Sequence, residues 1–273
     1  MLAASLAAPA TASFGSPLRI DKGQLTQGGW ALGRVLGHGA APADTGELWL
    51  DGQRITAAPD GQFLLAFDRD APLAARVELR RGTEVVASLA LAIAPRAWRI
   101  EQVDAPLRPP SVPDAEFQRI RAAELARIAA ARAIVTDAQG WRQAMVRPAP
   151  GRISGRFGAQ RVYRGQPGAY HTGLDLAAAA GTPILAPADG VVILAANSPF
   201  TLEGRLLMLD HGQGLSSAFL HCSAHAVQEG DRVRQGQSIA SVGMTGRATG
   251  PHLHWGLRWH AARLDPLLFL PAA

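Results

Sequence analysis

Histidines are concentrated in one part of this 273-residue chain. Seven of the eight lie between residues 171 and 260, where an even distribution would place about three. His171 is followed four residues later by Asp175, and one residue separates His252 from His254. On a β-strand, the imidazoles of a His-x-His pair leave the same face, with Cα atoms about 7 Å apart. The first pair would be about 13 Å apart on an extended strand, so a turn at Gly173 or a helical turn must bring it together.

These residue types can hold a metal ion. His171, Asp175 and one histidine of the later pair would give zinc two nitrogens and one oxygen, which leaves a fourth position for water. Three protein ligands and an open position are typical of a catalytic zinc site, whereas a structural site uses four protein ligands. His221 follows an apolar run, residues 215–220, and could place a further imidazole in the same cleft. A His-x-His pair alone can also be two solvated side chains on a polar strand face.

Four further residues are interpreted as structural or solvated. His211 lies in an Asp-His-Gly sequence, which is typical of a turn between strands. His225 is expected to be solvated, and His260 is expected to lie about 20 Å from His254 if the strand continues. Cys222, the only cysteine, is expected to point away from the preceding histidine as a buried, unreactive thiol. A single cysteine also excludes an internal disulfide and a Cys-x-x-Cys metal site.

The chain is predicted to be mainly β, with two β domains joined by a linker and a helix. Residues 14–103 contain short alternating apolar runs separated by turns such as Asp51-Gly52, which favours an antiparallel β-sandwich. Residues 104–150 begin with a proline-rich stretch and continue with an apolar stripe of helical period, which predicts a linker and a helix. Residues 151–268 return to short strands and predict an all-β domain. The helical stripe consists of Phe117, Ile120, Leu125, Ile128 and Val135.

The composition limits the class of protein. With 48% hydrophobic and 18% charged residues, the chain can fill a core, which excludes a wholly disordered protein and a coiled coil. The formal net charge is +5, but the 26 arginines and Lys22 form no run of five basic residues, and only 6% of the residues are aromatic. No nucleic-acid partner is therefore predicted, and only mild attraction to an anionic polymer is expected. No segment after the N terminus approaches the roughly 20 apolar residues that a membrane span requires.

Residues 1–12 are predicted to be a signal peptide. Residues 2–9 are apolar and rich in alanine, and Ala10-Thr11-Ala12 is a small-x-small pattern that a signal peptidase could cut. The positively charged region that usually precedes such a segment is missing, so a disordered terminus is the alternative. Export predicts a periplasmic or secreted protein of the cell envelope.

Several motifs follow one another in the last half of the chain. They are Gly155-Arg-Phe-Gly158, His171-Thr-Gly-Leu-Asp175-Leu, Ala186-Pro-Ala-Asp-Gly-Val-Val192, Leu209-Asp-His-Gly212, Phe219-Leu-His221, Val233-Arg-Gln-Gly-Gln237 and Gly243-Met-Thr-Gly-Arg-Ala-Thr-Gly-Pro-His-Leu-His254. In this order and at these separations, the motifs closely resemble those of the lysostaphin-type (LytM-like) zinc metallopeptidases, which are peptidoglycan endopeptidases. The resemblance extends from about residue 151 to residue 266, roughly 40% of the chain.

The resemblance implies roles for five residues and one cofactor. It makes His171, Asp175 and His254 the ligands of a single zinc ion, and it makes His221 and His252 the catalytic pair. It also implies a β fold with a long open groove, which suits an extended, cross-linked peptide. Many relatives have an acidic residue two positions after the last ligand, where this chain has glycine, so the surroundings of the ligands or the groove shape are expected to differ.

The predicted function is that of an exported zinc metalloendopeptidase, which hydrolyses the peptide cross-links of peptidoglycan with a zinc-activated water and two catalytic histidines. The alternative is a non-enzymatic module of the same fold that binds the cell wall or activates another wall hydrolase. A biotin- or lipoyl-carrier domain is excluded because the C-terminal domain has no lysine to accept the group. The N-terminal domain could bind the wall or cover the groove; in the second case, removing residues 1–150 would raise activity. The residues identify no regulatory partner and no oligomeric state.

Overall fold

The computed structural model of the chain describes residues 16–36, 46–104 and 115–271. These residues form mostly β-strands together with one α-helix, so the predicted mainly β fold class is confirmed. The predicted signal peptide, residues 1–12, and most of the predicted proline-rich linker, residues 105–114, lie outside the described residues. None of the helical segments in the described ranges has the length and apolar character that crossing a membrane requires.

Seven strands in the N-terminal part form two antiparallel sheets that share one hydrophobic core. The strands are β1 (Leu18–Gln24), β2 (Trp30–Val35), β3 (Glu47–Leu50), β4 (Gln53–Ile55), β5 (Gln62–Ala66), β6 (Ala74–Arg81) and β7 (Glu84–Ala92). One sheet has the order β1-β2-β5 and the other has the order β4-β3-β6-β7. Phe63, Leu65 and Val77 are fully shielded from solvent in the core between them. Asp51 and Gly52 both have positive φ in the tight turn between β3 and β4, as the twist of a two-residue hairpin requires.

The C-terminal part is built around one large antiparallel sheet. The chain enters this part through β8 (Ile100–Val103) and α1 (Ala115–Arg132). The strands that follow are β9 (Arg152–Gly155), β10 (Gln160–Tyr163), β11 (Gln166–Pro167), β12 (Leu174–Ala177), β13 (Pro183–Leu185), β14 (Gly190–Ala195), β15 (Arg205–Gly212), β16 (Leu215–Cys222), β17 (Ala224–His225), β18 (Arg232–Val233), β19 (Ser238–Ser241), β20 (Leu253–Trp259) and β21 (Ala262–Leu264). The central sheet has the order β18-β14-β15-β16-β20-β12-β9, and β21 pairs with β20. Two smaller sheets, β13-β19-β17 and β11-β10-β8, flank it.

The N-terminal sandwich is packed against the C-terminal part. β8 pairs in parallel with β10, so the chain reaches the C-terminal part before the predicted linker begins. Arg69 is only 6% exposed and donates two hydrogen bonds to the carbonyl oxygen of Gly158. Arg96 forms an ion pair of 2.8 Å with the buried carboxylate of Asp265. Buried polar contacts of this kind hold the two surfaces in one arrangement. The domain boundaries at residues 103 and 150 stay predictions.

α1 lies on one face of the central sheet. Ile128 and Ala131 pack in an apolar cluster with Phe200 and with Met208 of β15. Leu220 of β16 is partly buried against the same cluster. The helix therefore covers the face of the sheet to which the side chain of Leu220 points.

The predicted apolar stripe of this helix is only partly correct. Leu125 is 49% exposed, and Val135 is 87% exposed because the helix ends at Arg132. The buried face contains Glu124 instead, whose carboxylate accepts hydrogen bonds of 2.6 Å from the backbone N–H and from the hydroxyl of Thr201. A charged residue occupies this buried position because its hydrogen bonds are satisfied there, which apolar periodicity cannot indicate.

Candidate metal centre

Three elements of the central sheet bring the candidate ligands together. Asp175 of β12 lies directly opposite His254 of β20, and Leu220 of β16 lies opposite His254 on the other side. Residues directly opposite in an antiparallel pair have Cβ atoms about 5 Å apart, so register alone places the carboxylate beside the imidazole. His171 lies before β12, and the bend at Gly173 brings it back to Asp175, as the four-residue spacing requires.

The three donor atoms converge on one point. His171 Nε2 is 3.0 Å from Asp175 Oδ1, His254 Nδ1 is 2.9 Å from the same oxygen, and the two nitrogens are 3.1 Å apart. Ligand atoms around a tetrahedral zinc ion are about 3.3 Å apart, since each zinc bond is about 2.0–2.1 Å long. Two imidazole nitrogens and one carboxylate oxygen are also a donor set that zinc accepts, with a fourth direction left for water or substrate. The residues therefore fit one zinc ion.

Two glycines make room for this convergence. A Cβ atom at Gly155 of β9 would lie 2.3 Å from Asp175 Oδ2. A Cβ atom at Gly173 would lie 2.7 Å from His254 Nε2. Any larger residue at either position would displace one of the ligand side chains, so both glycines are required by close approach.

The electrostatics of the cluster suit a cation. Burial opposes ionisation of Asp175, but hydrogen bonds from His171 and His254 outweigh it and hold the pKa of the carboxyl well below its usual range. Burial lowers the pKa of His254, which favours the neutral imidazole that metal binding needs. Burial also acts against charge on His171, but its hydrogen bond with Asp175 outweighs burial and raises the pKa of this imidazole. His171 Nδ1 lies 3.1 Å from the carbonyl oxygen of Arg156, which directs Nε2 towards the other donors.

Two more imidazoles lie next to the donor set. The ring centroids of His221 and His252 are 4.8 Å apart, and His252 Nε2 is 4.0 Å from Asp175 Oδ1. Each ring donates its Nδ1–H to a backbone carbonyl at 2.8 Å, His221 to Thr245 and His252 to Gly250. Nε2 of each ring is therefore free to exchange a proton. Burial lowers the pKa of His221, which favours the neutral form that can accept a proton.

His221 reaches this position through a break in strand alternation. Ser217 and Phe219 of β16 face the core, and strict alternation would send His221 there as well. Its φ is 65°, in the left-handed region that residues other than glycine seldom adopt. The break turns His221 towards His252 and sends Cys222 into the core, where burial raises the pKa of the thiol to about 12. Cys222 is thus buried and unreactive, as the sequence predicts.

The other histidines of the C-terminal part lie away from the donor set. His211 is fully buried at the end of β15, not in a turn, with its ring nitrogens bonded to the carbonyl of Asp189 and the hydroxyl of Ser217. His225 lies in β17 with both ring nitrogens shielded from solvent, so the prediction of a solvated side chain is wrong. His260 is exposed, just beyond the end of β20 that is farther from His254.

A cavity of about 230 Å³ lies beside the donor set, between α1 and the central sheet. Its lining includes His254 and Gly256 of β20, Ala218 of β16, and Leu125 and Ile128 of α1. The predicted groove is therefore bounded by the helix on this side. Sequence reasoning missed the cavity because the period of a helix does not indicate which surface the helix covers.

Comparison with known proteins connects this geometry to a family. Residues 169–266, which contain all five candidate residues, match the family model of peptidase family M23. The peptidoglycan DD-endopeptidase ShyA of Vibrio cholerae is 39% identical over 107 residues, 39% of this chain and 24% of that protein. The DD-carboxypeptidase/endopeptidase Mpg of Neisseria meningitidis is 40% identical over 120 residues, 42% of this chain and 26% of that protein. The match thus spans about a quarter of the length of these curated relatives.

A solved structure extends the similarity beyond the matched segment. A crystal structure from Pseudomonas aeruginosa, whose protein is assigned to peptidase M23, superposes with a TM-score of 0.66 at 27% sequence identity. The superposition covers 91% of this chain and 96% of that chain, so it includes both the sandwich and the C-terminal sheet. The resemblance predicted from the motifs is confirmed for residues 169–266, the segment that matches the family model of peptidase family M23.

Proposed function

We propose that the chain is a zinc-dependent metalloendopeptidase that hydrolyses the peptide cross-links of peptidoglycan. The observation that carries the proposal is the convergence of His171, Asp175 and His254, with two further imidazoles alongside. Both curated relatives described above are named as endopeptidases, and one of them as a peptidoglycan endopeptidase, which supports this substrate class. Because the match spans about a quarter of those relatives, the activity and the substrate of the whole chain belong to the proposal. Since peptidoglycan lies in the cell envelope, we also propose that the protein acts there, after export.

The residues divide the chemistry between them. His171, Asp175 and His254 would hold the zinc ion, which when bound polarises the peptide carbonyl and lowers the pKa of a water molecule towards about 7. The free Nε2 atoms of His221 and His252 can move protons on the same side of the cluster. One accepts the proton of the attacking water, and the other stabilises the oxyanion or protonates the leaving amine.

The test of this function uses the purified full chain and cross-linked peptidoglycan. We expect loss of the cross-linked dimers and release of monomeric peptides, identified by mass spectrometry. A zinc chelator should stop the reaction, and stoichiometric zinc should restore it, because no side chain of the donor set can replace the ion in activating water. Intact dimers in a sample that contains one zinc per chain would contradict the proposal.

The alternative, a non-enzymatic wall-binding module, is not favoured by the geometry. A module without catalysis needs neither the three donors nor the pair of free imidazoles, and all five residues are present and close together. Binding of peptidoglycan without any hydrolysis, again in the zinc-loaded chain, would support this alternative.

α1 provides a reason to expect restricted access to the groove. Arg121 forms a bidentate ion pair with Glu203 at 2.6 and 2.8 Å and a third contact of 2.9 Å with Glu124. Glu124 in turn accepts the two hydrogen bonds from Thr201. These contacts attach the helix to the segment between β14 and β15, beside the cavity that includes His254. We therefore expect α1 to restrict the entry of the insoluble polymer, while a short peptide can still enter the cavity between the helix and the sheet.

Breaking this attachment is expected to speed hydrolysis of the intact polymer. In Arg121→Ala, loss of the charge-assisted pair should weaken the attachment and raise the rate on insoluble peptidoglycan roughly 3- to 10-fold, with little change on a short soluble peptide. Arg119→Ala is the matched control, since Arg119 pairs with Glu116 on the exposed side of the same helix. Equal rates for wild type and both variants on the polymer would show that α1 does not restrict access.

A further inference from the structure

Three arginine side chains line one part of the cavity next to the candidate metal centre. Arg132 comes from the end of α1, Arg258 from β20 and Arg263 from β21. Arg258 and Arg263 lie directly opposite each other in the antiparallel register, so two like charges are side by side. Desolvation, together with repulsion from these two guanidinium groups, lowers the pKa of Arg132 to about 10.

No direct ion pair neutralises this positive charge in the described part of the chain, although Glu203 and Asp68 lie near enough to act on Arg132 and Arg258. Among the residues that the structure describes, none of the three guanidinium groups is within ion-pair distance of a carboxylate. The charge of Glu203 acts to raise the pKa of Arg132, but the carboxylate of Glu203 is already paired with Arg121. Asp68 accepts a hydrogen bond from the backbone N–H of Arg263, not from its side chain.

The hydrogen-bonding capacity of these arginines is also only partly used. Arg258 donates one bond of 3.0 Å to the carbonyl oxygen of Ala261, while its Nε atom is buried without a partner. Arg263 makes one long hydrogen bond, 3.4 Å, to the hydroxyl of Tyr170, and its guanidinium lies 5.6 Å from the centroid of the same ring. A buried donor without a partner costs free energy that a bound acceptor would recover.

The arginines lie in the same cavity as His254 of the metal centre. His254 and Arg258 are four residues apart on β20 and therefore face the same side, with Cα atoms about 13 Å apart. Gly256 lies between them and has no side chain, and it is paired with Ala218 of β16. Between the donor set and the arginines, this paired position therefore carries no side chain larger than a methyl group, which leaves space for a peptide above the sheet.

We propose that Arg132, Arg258 and Arg263 form a subsite for a free carboxylate of the substrate peptide, two or three residues from the hydrolysed bond. This inference rests on the proposed function and adds the group that the groove recognises. A carboxylate matches the chemistry because guanidinium groups bind it with two parallel hydrogen bonds. Each extended residue spans about 3.3–3.6 Å, and the Arg258 side chain can reach part of the way back towards His254. The bound carboxylate therefore lies two or three residues from the hydrolysed bond. The carboxylate can belong to the end of the peptide or to an acidic side chain.

Matched peptides separate these two sources. Zinc-loaded wild-type protein would be given a short cross-linked peptide as the free acid, as its C-terminal amide and as its side-chain amide. Loss of about 1.5–3 kcal/mol of charge-assisted bonding should lower kcat/KM about 10- to 100-fold for the amide that removes the bound carboxylate, mainly through KM. The amide that has this effect identifies the source. Equal kcat/KM for all three peptides would overturn the inference.

Variants then connect the preference to these residues. In Arg258→Gln and in Arg263→Gln, we expect KM for the acid to rise about 10-fold with kcat nearly unchanged, and the preference for the acid over the amide to fall accordingly. Arg263 is exposed, so its replacement tests the subsite even if Arg258→Gln disturbs folding. Arg234→Gln is the control, because Arg234 is exposed outside the cavity. An unchanged preference in both cavity variants would contradict the inference.

A binding measurement separates this inference from the proposed function. Calorimetry would compare a tetrapeptide from peptidoglycan, as acid and as amide, on the full chain. Binding that requires the carboxylate and Arg263, without hydrolysis of any cross-linked peptide, would support the subsite and reject the endopeptidase. Hydrolysis with equal binding of acid and amide would support the endopeptidase and reject the subsite. The preference for the acid could also be weak, and inorganic phosphate or acetate could remove it equally in Arg234→Gln and Arg263→Gln. That result would indicate nonspecific attraction to positive charge and would also reject the subsite.

Discussion

Replacing His254 by alanine is expected to remove zinc from the protein and to abolish peptide hydrolysis. His254 Nδ1 is 2.9 Å from Asp175 Oδ1 and 3.1 Å from His171 Nε2, so its loss leaves two donors where a catalytic zinc site needs three. We expect zinc content, measured by elemental analysis, to fall from about one per chain to below about 0.1. Since bound zinc contributes several kcal/mol to transition-state stabilisation, kcat/KM should fall about 10³-fold or more.

Two comparisons make this result specific. Asp175→Asn keeps the size of the side chain but removes its charge, and it should also lose most of the zinc because a neutral amide is a poorer ligand. His260→Ala removes an imidazole that lies beyond the other end of β20, and it should keep both zinc and activity. Circular dichroism would show whether each variant is folded. A folded His254→Ala protein with full zinc content would show that the ion is held elsewhere.

Much of this site could be predicted from the sequence because its geometry is local. The period of two residues in a strand indicated that His252 and His254 share a face, and in the structure both side chains lie within 4.0 Å of Asp175 Oδ1. The four-residue spacing of His171 and Asp175 required a turn, and the chain bends at Gly173 between them. Spacing and turn chemistry are properties of a few neighbouring residues, so they can be inferred before the fold is known.

Other features depend on contacts that no local pattern encodes. His221 would face the core by alternation, and only its left-handed backbone turns it towards His252. The register between β12 and β20, which makes Asp175 and His254 neighbours, joins segments 79 residues apart. The position of α1 depends on Glu124, which the apolar period excluded from the buried face although its carboxylate accepts two hydrogen bonds from Thr201. Long-range pairing and satisfied buried charges therefore account for what the sequence did not predict.

The second large effect is expected from the two histidines outside the donor set. His252→Ala and His221→Ala should each keep about one zinc per chain, because neither ring completes the three-donor cluster. Each should nevertheless lower kcat by about 10²–10⁴, the contribution of a positioned proton-transfer group. The Nδ1–H bonds to the carbonyls of Thr245 and Gly250 fix each ring with Nε2 free, so replacement removes a group already oriented for this step.

The double variant tests whether the pair acts as one unit. If one ring accepts the proton that the other later supplies to the leaving amine, then removing both should cost little more than removing one. Rates would be measured at saturating peptide on zinc-loaded proteins, so that a change in kcat is separated from weaker binding. A double variant that loses the product of the two single effects would show that the histidines act in separate steps. Loss of zinc from His252→Ala alone would instead identify His252 as a ligand. In that case its Nε2, which is 4.0 Å from Asp175 Oδ1, would have to move closer to the donor set when zinc binds.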